Sequence, residues 1–170
     1  MAQKFIRNLA GTLTELEALV TSVGVGSAGQ IVATDSTGRL DISLMPVGVG
    51  AEVSIIATSE SLTAGNFVNI HNSTGAKIRK ADATALGKEA VGFVLSNVTA
   101  PANATVYPIS NKNTALSGLT IGSKYWLSTT PGGVTDTAPS SSGNVIQLLG
   151  IAESTTEMIF TNLGGIYVLA

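Results

Sequence analysis

The chain has no cysteine, which excludes disulfide staples and thiolate metal centres. Charge is also scarce. Asp, Glu, Lys and Arg make up 12% of 170 residues, where about 25% is usual. The net charge is −2, and Lys77–Lys80 is the densest basic cluster, so nucleic acid, which needs grouped cations along a phosphate backbone, is not an expected partner. No apolar stretch approaches the roughly eighteen residues of a membrane-spanning helix. Lys4 and Arg7 are followed by a segment broken by Glu15 and Glu17, so neither a membrane partner nor a signal peptide is expected. Histidine occurs once, at His71. Carboxylates are scattered, without the spacing that would suggest a glycosidase pair, and no G-x-S-x-G elbow is present. The residues therefore predict no catalytic site, no metal, no cofactor and no enzymatic activity.

What fills the gap is β-forming chemistry. The chain carries 20 threonines, 17 serines, 15 valines, 13 isoleucines and 19 glycines, a composition suited to pleated sheets and tight turns rather than helices. At this length one domain with a sizeable core is expected, perhaps with a small appendage.

The glycine-rich "GVGSAG" of Gly24–Gly29 has the spacing of a dinucleotide loop. Such a loop needs a strand before it and a helix after it, so that helix N–H groups face the pyrophosphate. Here the order reads reversed. Leu13, Leu16, Leu19, Val20 and Val23 recur at helical spacing, and Thr12 with Glu15 fits a capping box. A short N-terminal helix ending at a Gly24 C-cap is therefore predicted. "QIVATD" after it reads as a strand, and Pro46 as extended. The glycines act as a hinge.

Three regions follow: a helical segment over 1–23, a glycine-punctuated linker with one strand over 24–50, and a β domain over 51–170. Short alternating runs, among them "NFVNIHN", "AKIRKAD", "ATVYPIS", "KYWLSTT" and "EMIFTN", are separated by turn signals and predict a small β-barrel or β-sandwich. Within it, 62–95 and 119–152 form a pseudo-repeat. Leu62, Thr63, Gly65 and Gly75 align with Leu119, Thr120, Gly122 and Gly132 at an offset of 57, and Gly92 aligns with Gly150 at 58. The predicted fold class is mainly β, built from two similar units preceded by a short helix.

Two groups of residues are candidates for contact with something outside the chain. Lys4, Phe5, Ile6, Arg7, Leu9 and Leu13 combine apolar and basic side chains with no evident partner in a β-barrel, as an attachment arm would. Tyr125 and Trp126 form the densest aromatic pair. Strand alternation sends one inward and one outward, where it can meet a ligand or a subunit.

The run "SAGQIVATDSTGRLDISLMPVGVGA", then "GNFVNI", "AKIRKADA" and "GKEAVGFVL", then "KYWLSTTPGGVTDTAPSSSGNVIQLLGIA" resembles tailed-bacteriophage structural proteins, in particular head decoration (cement) proteins and head-fibre components. That resemblance implies a β-rich homo-oligomer, commonly a trimer, on the capsid exterior of the virion. It would bridge neighbouring copies of the major capsid protein, and no catalytic residue carries over. A fibre module that binds host cell-surface glycan through the "KYW" region is the alternative.

Overall fold

The computed structural model describes residues 3–45, 53–161 and 164–169. The chain divides into two compact units, Met1–Ala51 and Glu52–Ala170. Its architecture is mainly β.

The N-terminal helix expected over 12–23 is absent. A β-hairpin stands in its place, with β1 (Lys4–Leu9) paired antiparallel to β2 (Thr12–Glu17) in a six-pair register running from Lys4↔Glu17 to Leu9↔Thr12. The turn explains the difference. Ala10 and Gly11 both take positive φ (49° and 92°), the requirement of the tight two-residue turn whose twist matches paired strands. The Asn8 carboxamide oxygen accepts the Gly11 N–H at 2.8 Å. "TLTELE" alternates as well as it spaces by three, and a turn upstream of it selects the alternating reading. Glu15, assigned above to a capping box, instead meets Lys4 across the ladder at 2.6 Å. Both side chains are over half exposed, so the pair contributes at most about 1 kcal/mol.

The other described residues of this unit are irregular. Gly24–Ser27 forms a short 3-10 turn rather than a helix C-cap. The strand expected in "QIVATD" reduces to one parallel bridge, Leu19↔Val32, with Leu19 N–H donating to Ile31 O and Ala33 N–H to Leu19 O. The Asp35 carboxylate accepts the Thr37 and Arg39 N–H groups and the Thr37 hydroxyl. These bonds, that of Arg39 foremost, hold its pKa below the ordinary carboxylate value. A second 3-10 turn spans Ile42–Leu44. Pro46, expected to be extended, lies outside the described residues. Ala33 is the one buried apolar side chain among the described residues of this unit.

The second unit holds the core. Its strands are β3 (Ser54–Thr58), β4 (Phe67–Asn72), β5 (Ala76–Lys80), β6 (Gly92–Phe93), β7 (Asn103–Pro108), β8 (Lys112–Asn113), β9 (Lys124–Leu127), β10 (Val134–Thr135), β11 (Val145–Ile146), β12 (Leu148–Ala152), β13 (Met158–Phe160) and β14 (Tyr167–Val168). Five of them close a barrel in the order β3-β5-β4-β6-β7, and five form an open sheet in the order β10-β9-β12-β13-β8. β11 and β14 make a separate two-stranded ladder. Only the β3·β5 pairing of the barrel is parallel.

Two cores result from strict alternation along the barrel strands. Val68, Ile78, Val94, Ala104 and Val106 point inward and fill the barrel with Leu62. Their neighbours Phe67 and Phe93 point outward, where Leu127, Leu149, Met158 and Phe160 of the open sheet cover them. Phe67 packs edge-on against Phe160, with ring centres 5.4 Å apart, and tilts against Phe93 at 5.8 Å. The outside of the barrel is thus the inside of the second sheet. The buried Gln147 amide adds a polar rivet, accepting the Ala90 N–H and donating to the Ala90 carbonyl, both at 2.8 Å.

Candidate functional site

The attachment candidates occupy both faces of the hairpin. Opposed residues of an antiparallel pair share a face, so Lys4, Ile6 and Asn8 lie with Leu13, Glu15 and Glu17. Phe5, Arg7 and Leu9 lie on the other face with Thr12, Thr14 and Leu16. On the first face Ile6 (71% exposed) and Leu13 (73%) are diagonal neighbours across the ladder, close enough to form one apolar spot. The ion-paired Lys4 and Glu15 border it. The second face curves over Ala28 and Gln30 around a concavity of about 300 Å³, and Arg7 reaches the Gly29 carbonyl at 3.5 Å. The six residues are therefore two surfaces, of which the Ile6–Leu13 face is the free one. Helical spacing conceals that split. It also hides Val23 and Val25, which the turn around Gly24–Ser27 leaves 81% and 94% exposed.

The aromatic pair separates as alternation requires. Tyr125 turns into the core between the two sheets, and its hydroxyl oxygen accepts the Thr120 N–H at 2.8 Å. It has no surface to offer a ligand. Trp126 is half-buried on the opposite side of β9, facing Thr135 and Leu148 in register. At the far edge of the sheet, on β8, Lys112 pairs with Glu153 at 2.6 Å and Glu157 at 3.8 Å, and the Glu153 hydrogen bond chiefly raises its pKa.

No protein-family model and no curated protein matches this chain.

The remaining polar residues have structural occupations. The His71 Nε2 lies 2.8 Å from the Ser59 hydroxyl, which donates to the Ile78 carbonyl. Asp82 is elsewhere, bound by Lys88 at 3.1 Å and by the Thr84 hydroxyl and amide, so His71 and Asp82 are not brought together as a relay. In the basic cluster Arg79 donates to Asn69 and to the Gly87 carbonyl, while Ile78 fills the barrel. Among the described residues no group of three or more His, Asp or Glu could hold a metal ion, and no helix is long and apolar enough to cross a membrane.

Proposed function

We propose that this chain is a virion structural protein that decorates and cements the exterior of a bacteriophage capsid, with the N-terminal hairpin as its attachment element. The observation that carries this reading is the Ile6–Leu13 face. A hydrogen-bonded hairpin presents two large apolar side chains to solvent on a unit whose described residues bury one apolar side chain, Ala33. Isolated two-stranded hairpins are marginal in water, and an apolar spot of this kind is accounted for by a partner that covers it. The major capsid protein is that partner in this reading. A homotrimer would engage several shell subunits at once and gain avidity without new contacts. Preference for the expanded lattice would stabilise that lattice by mass action.

The test is cosedimentation of the full chain with purified expanded capsids, with unexpanded shells as control. Saturable binding at a fixed ratio to the major capsid protein is the expected result. The double variant Ile6→Ser/Leu13→Ser should lower affinity at least about tenfold through lost apolar burial, with the melting of the β domain unchanged. Absence of binding by the unaltered chain overturns the cement reading. Unaffected binding by the double variant overturns the hairpin's part in it.

Within the β domain we infer that the barrel and the open sheet are two copies of one unit. Read from β5, the barrel runs β5-β4-β6-β7-β3 and the sheet runs β10-β9-β12-β13-β8, which are matching orders. The offset noted above relates β4, β5 and β6 to β9, β10 and β12, while Pro108 and Phe160, the partners of Gly92 and Gly150, are 52 positions apart. Registers correspond too: Val68↔Gly92 and Phe67↔Phe93 in one, Tyr125↔Gly150 and Lys124↔Ile151 in the other. Three backbone bonds recur. Gly65 N–H to Val94 O, Asn66 N–H to Thr63 O and Val94 N–H to Asn66 O have counterparts in Gly122 to Ala152, Ser123 to Thr120 and Ala152 to Ser123. Shared turn chemistry alone does not require this agreement of register.

A further inference from the structure

We propose that the barrel carries a binding site for one neutral sugar ring on the outer face of β7, apart from the hairpin and independent of the cement reading. The site is a concavity of about 180 Å³ between β7 and the segment that follows β6. Alternation along β7 puts Ala104 and Val106 inside the barrel, so Asn103, Thr105 and Tyr107 all point outward along one line. Ser96 joins them from the segment after β6, and Val94, Leu95, Val98 and Ala104 complete the wall. Ile55, directly opposite Thr105 in register and 71% exposed, stands on the same face.

Three properties select the ligand. No charged side chain lines the concavity, so neither anions nor cations are favoured. The four polar side chains comprise three hydroxyls and one carboxamide, groups that donate and accept at once and so match the hydroxyls of a sugar. Among the described residues, no hydrogen bond commits any of the four side chains to a partner. Size completes the selection, since the volume is below the roughly 300 Å³ at which drug-sized pockets begin. Tyr107 is stiffened by stacking on Phe93, with ring centres 5.6 Å apart and planes at 15°, so its hydroxyl is presented in a fixed position. Serine, asparagine and tyrosine are also the residues that adaptable recognition surfaces use for polar contacts at low ordering cost.

The experiment is titration of the isotope-labelled full chain with four probes (the methyl glycosides of glucose, galactose and mannose, and N-acetylglucosamine), followed by amide chemical shifts. At least one probe should give saturable millimolar shifts grouped at Ser96, Asn103, Thr105 and Tyr107. Tyr107→Phe should weaken binding roughly 5-fold and Asn103→Ala roughly tenfold, each for the loss of one hydrogen bond. Ser96→Ala, at an exposed loop position, is a second variant free of folding effects and should weaken it several-fold. Trp126→Ala should leave it unchanged. Charged glucosamine should bind no more tightly than its neutral counterpart. No saturable shift with any probe, shifts centred on Trp126, or affinity indifferent to all three pocket variants would overturn the proposal.

Discussion

The barrel and the open sheet have the same strand order and differ at one seam. In the barrel, β3 lies between β7 and β5 and closes the ring through a parallel pairing, Ala57↔Lys77 and Thr58↔Ile78. In the sheet, β8 pairs with β13 while β10 pairs with β9, and the ends do not meet. Closure lets the barrel bury its own small apolar side chains. Without it, the sheet must borrow a lid, and the lid is the aromatic outside of the barrel. Two solutions to one burial problem thus sit side by side: valine and alanine fill the barrel with Leu62 and Ile78, while the phenylalanines gather between barrel and sheet with Leu127, Leu149 and Met158.

The residue on which the comparison turns is Phe67, fully buried and in ring contact with both Phe93 and Phe160. Phe67→Ala should lower the unfolding free energy by about 4 kcal/mol, measured by urea titration. The unaltered domain should show one cooperative transition. Two separated transitions before substitution would mean that the sheet does not depend on the barrel for its lid.

The glycines of the two inner ladders are the next test. A methyl group at Gly150 would overlap the Ile159 carbonyl oxygen far inside van der Waals contact, and at Gly92 it would lie 2.6 Å from Val106 Cγ1 and 2.7 Å from the Tyr107 carbonyl oxygen. Both are close approaches by the neighbouring strand. Gly150→Ala should cost about 3 kcal/mol and Gly92→Ala about 2 kcal/mol, read from thermal melts. Tolerance of alanine at one of the two but not at the other would undo the proposed equivalence of the two ladders.

A smaller effect distinguishes the segments that follow β5 and β10. The first is fastened by buried Asp82. Burial pushes this carboxyl up, but the Thr84 hydroxyl and amide and then Lys88 outweigh it and hold its pKa below 3.8. A pKa lowered by folding stabilises fully above about pH 4, and that contribution is lost as pH falls through the folded value. Asp82→Asn should cost about 1 kcal/mol near neutrality and flatten the stability profile below pH 4. In the second segment Asp136 is exposed and accepts the neighbouring Thr137 hydroxyl.

Much of the β domain was legible because alternation and turn residues agree. The runs at β4, β5, β7, β9 and β13 carry period two between Gly, Asn and Pro signals, and Tyr125 and Trp126 divide as that period requires. β8 and β10 were not legible, because two residues carry no period. The hairpin was misread because its leucines fit both periods. Its turn also places alanine, not asparagine, at the first positive-φ position, an uncommon choice. The β7 concavity needed more than alternation. Asn103, Thr105 and Tyr107 read as an ordinary solvent face until the chain after β6 folds back to make it concave.

The Gln147–Ala90 clasp makes one backbone amide into a clock. Ala90 lies in a segment without regular structure, where peptide hydrogens ordinarily trade with water quickly. Its N–H nevertheless ends on a side chain 57 positions away, in the other half of the domain. Deuterium reaches that nitrogen when the clasp opens, as it must when the sheet lifts from the barrel. Its exchange rate therefore sets an upper bound on how often the two halves part, and slow exchange there, on the timescale of global unfolding, would mean that they part only when the whole domain does.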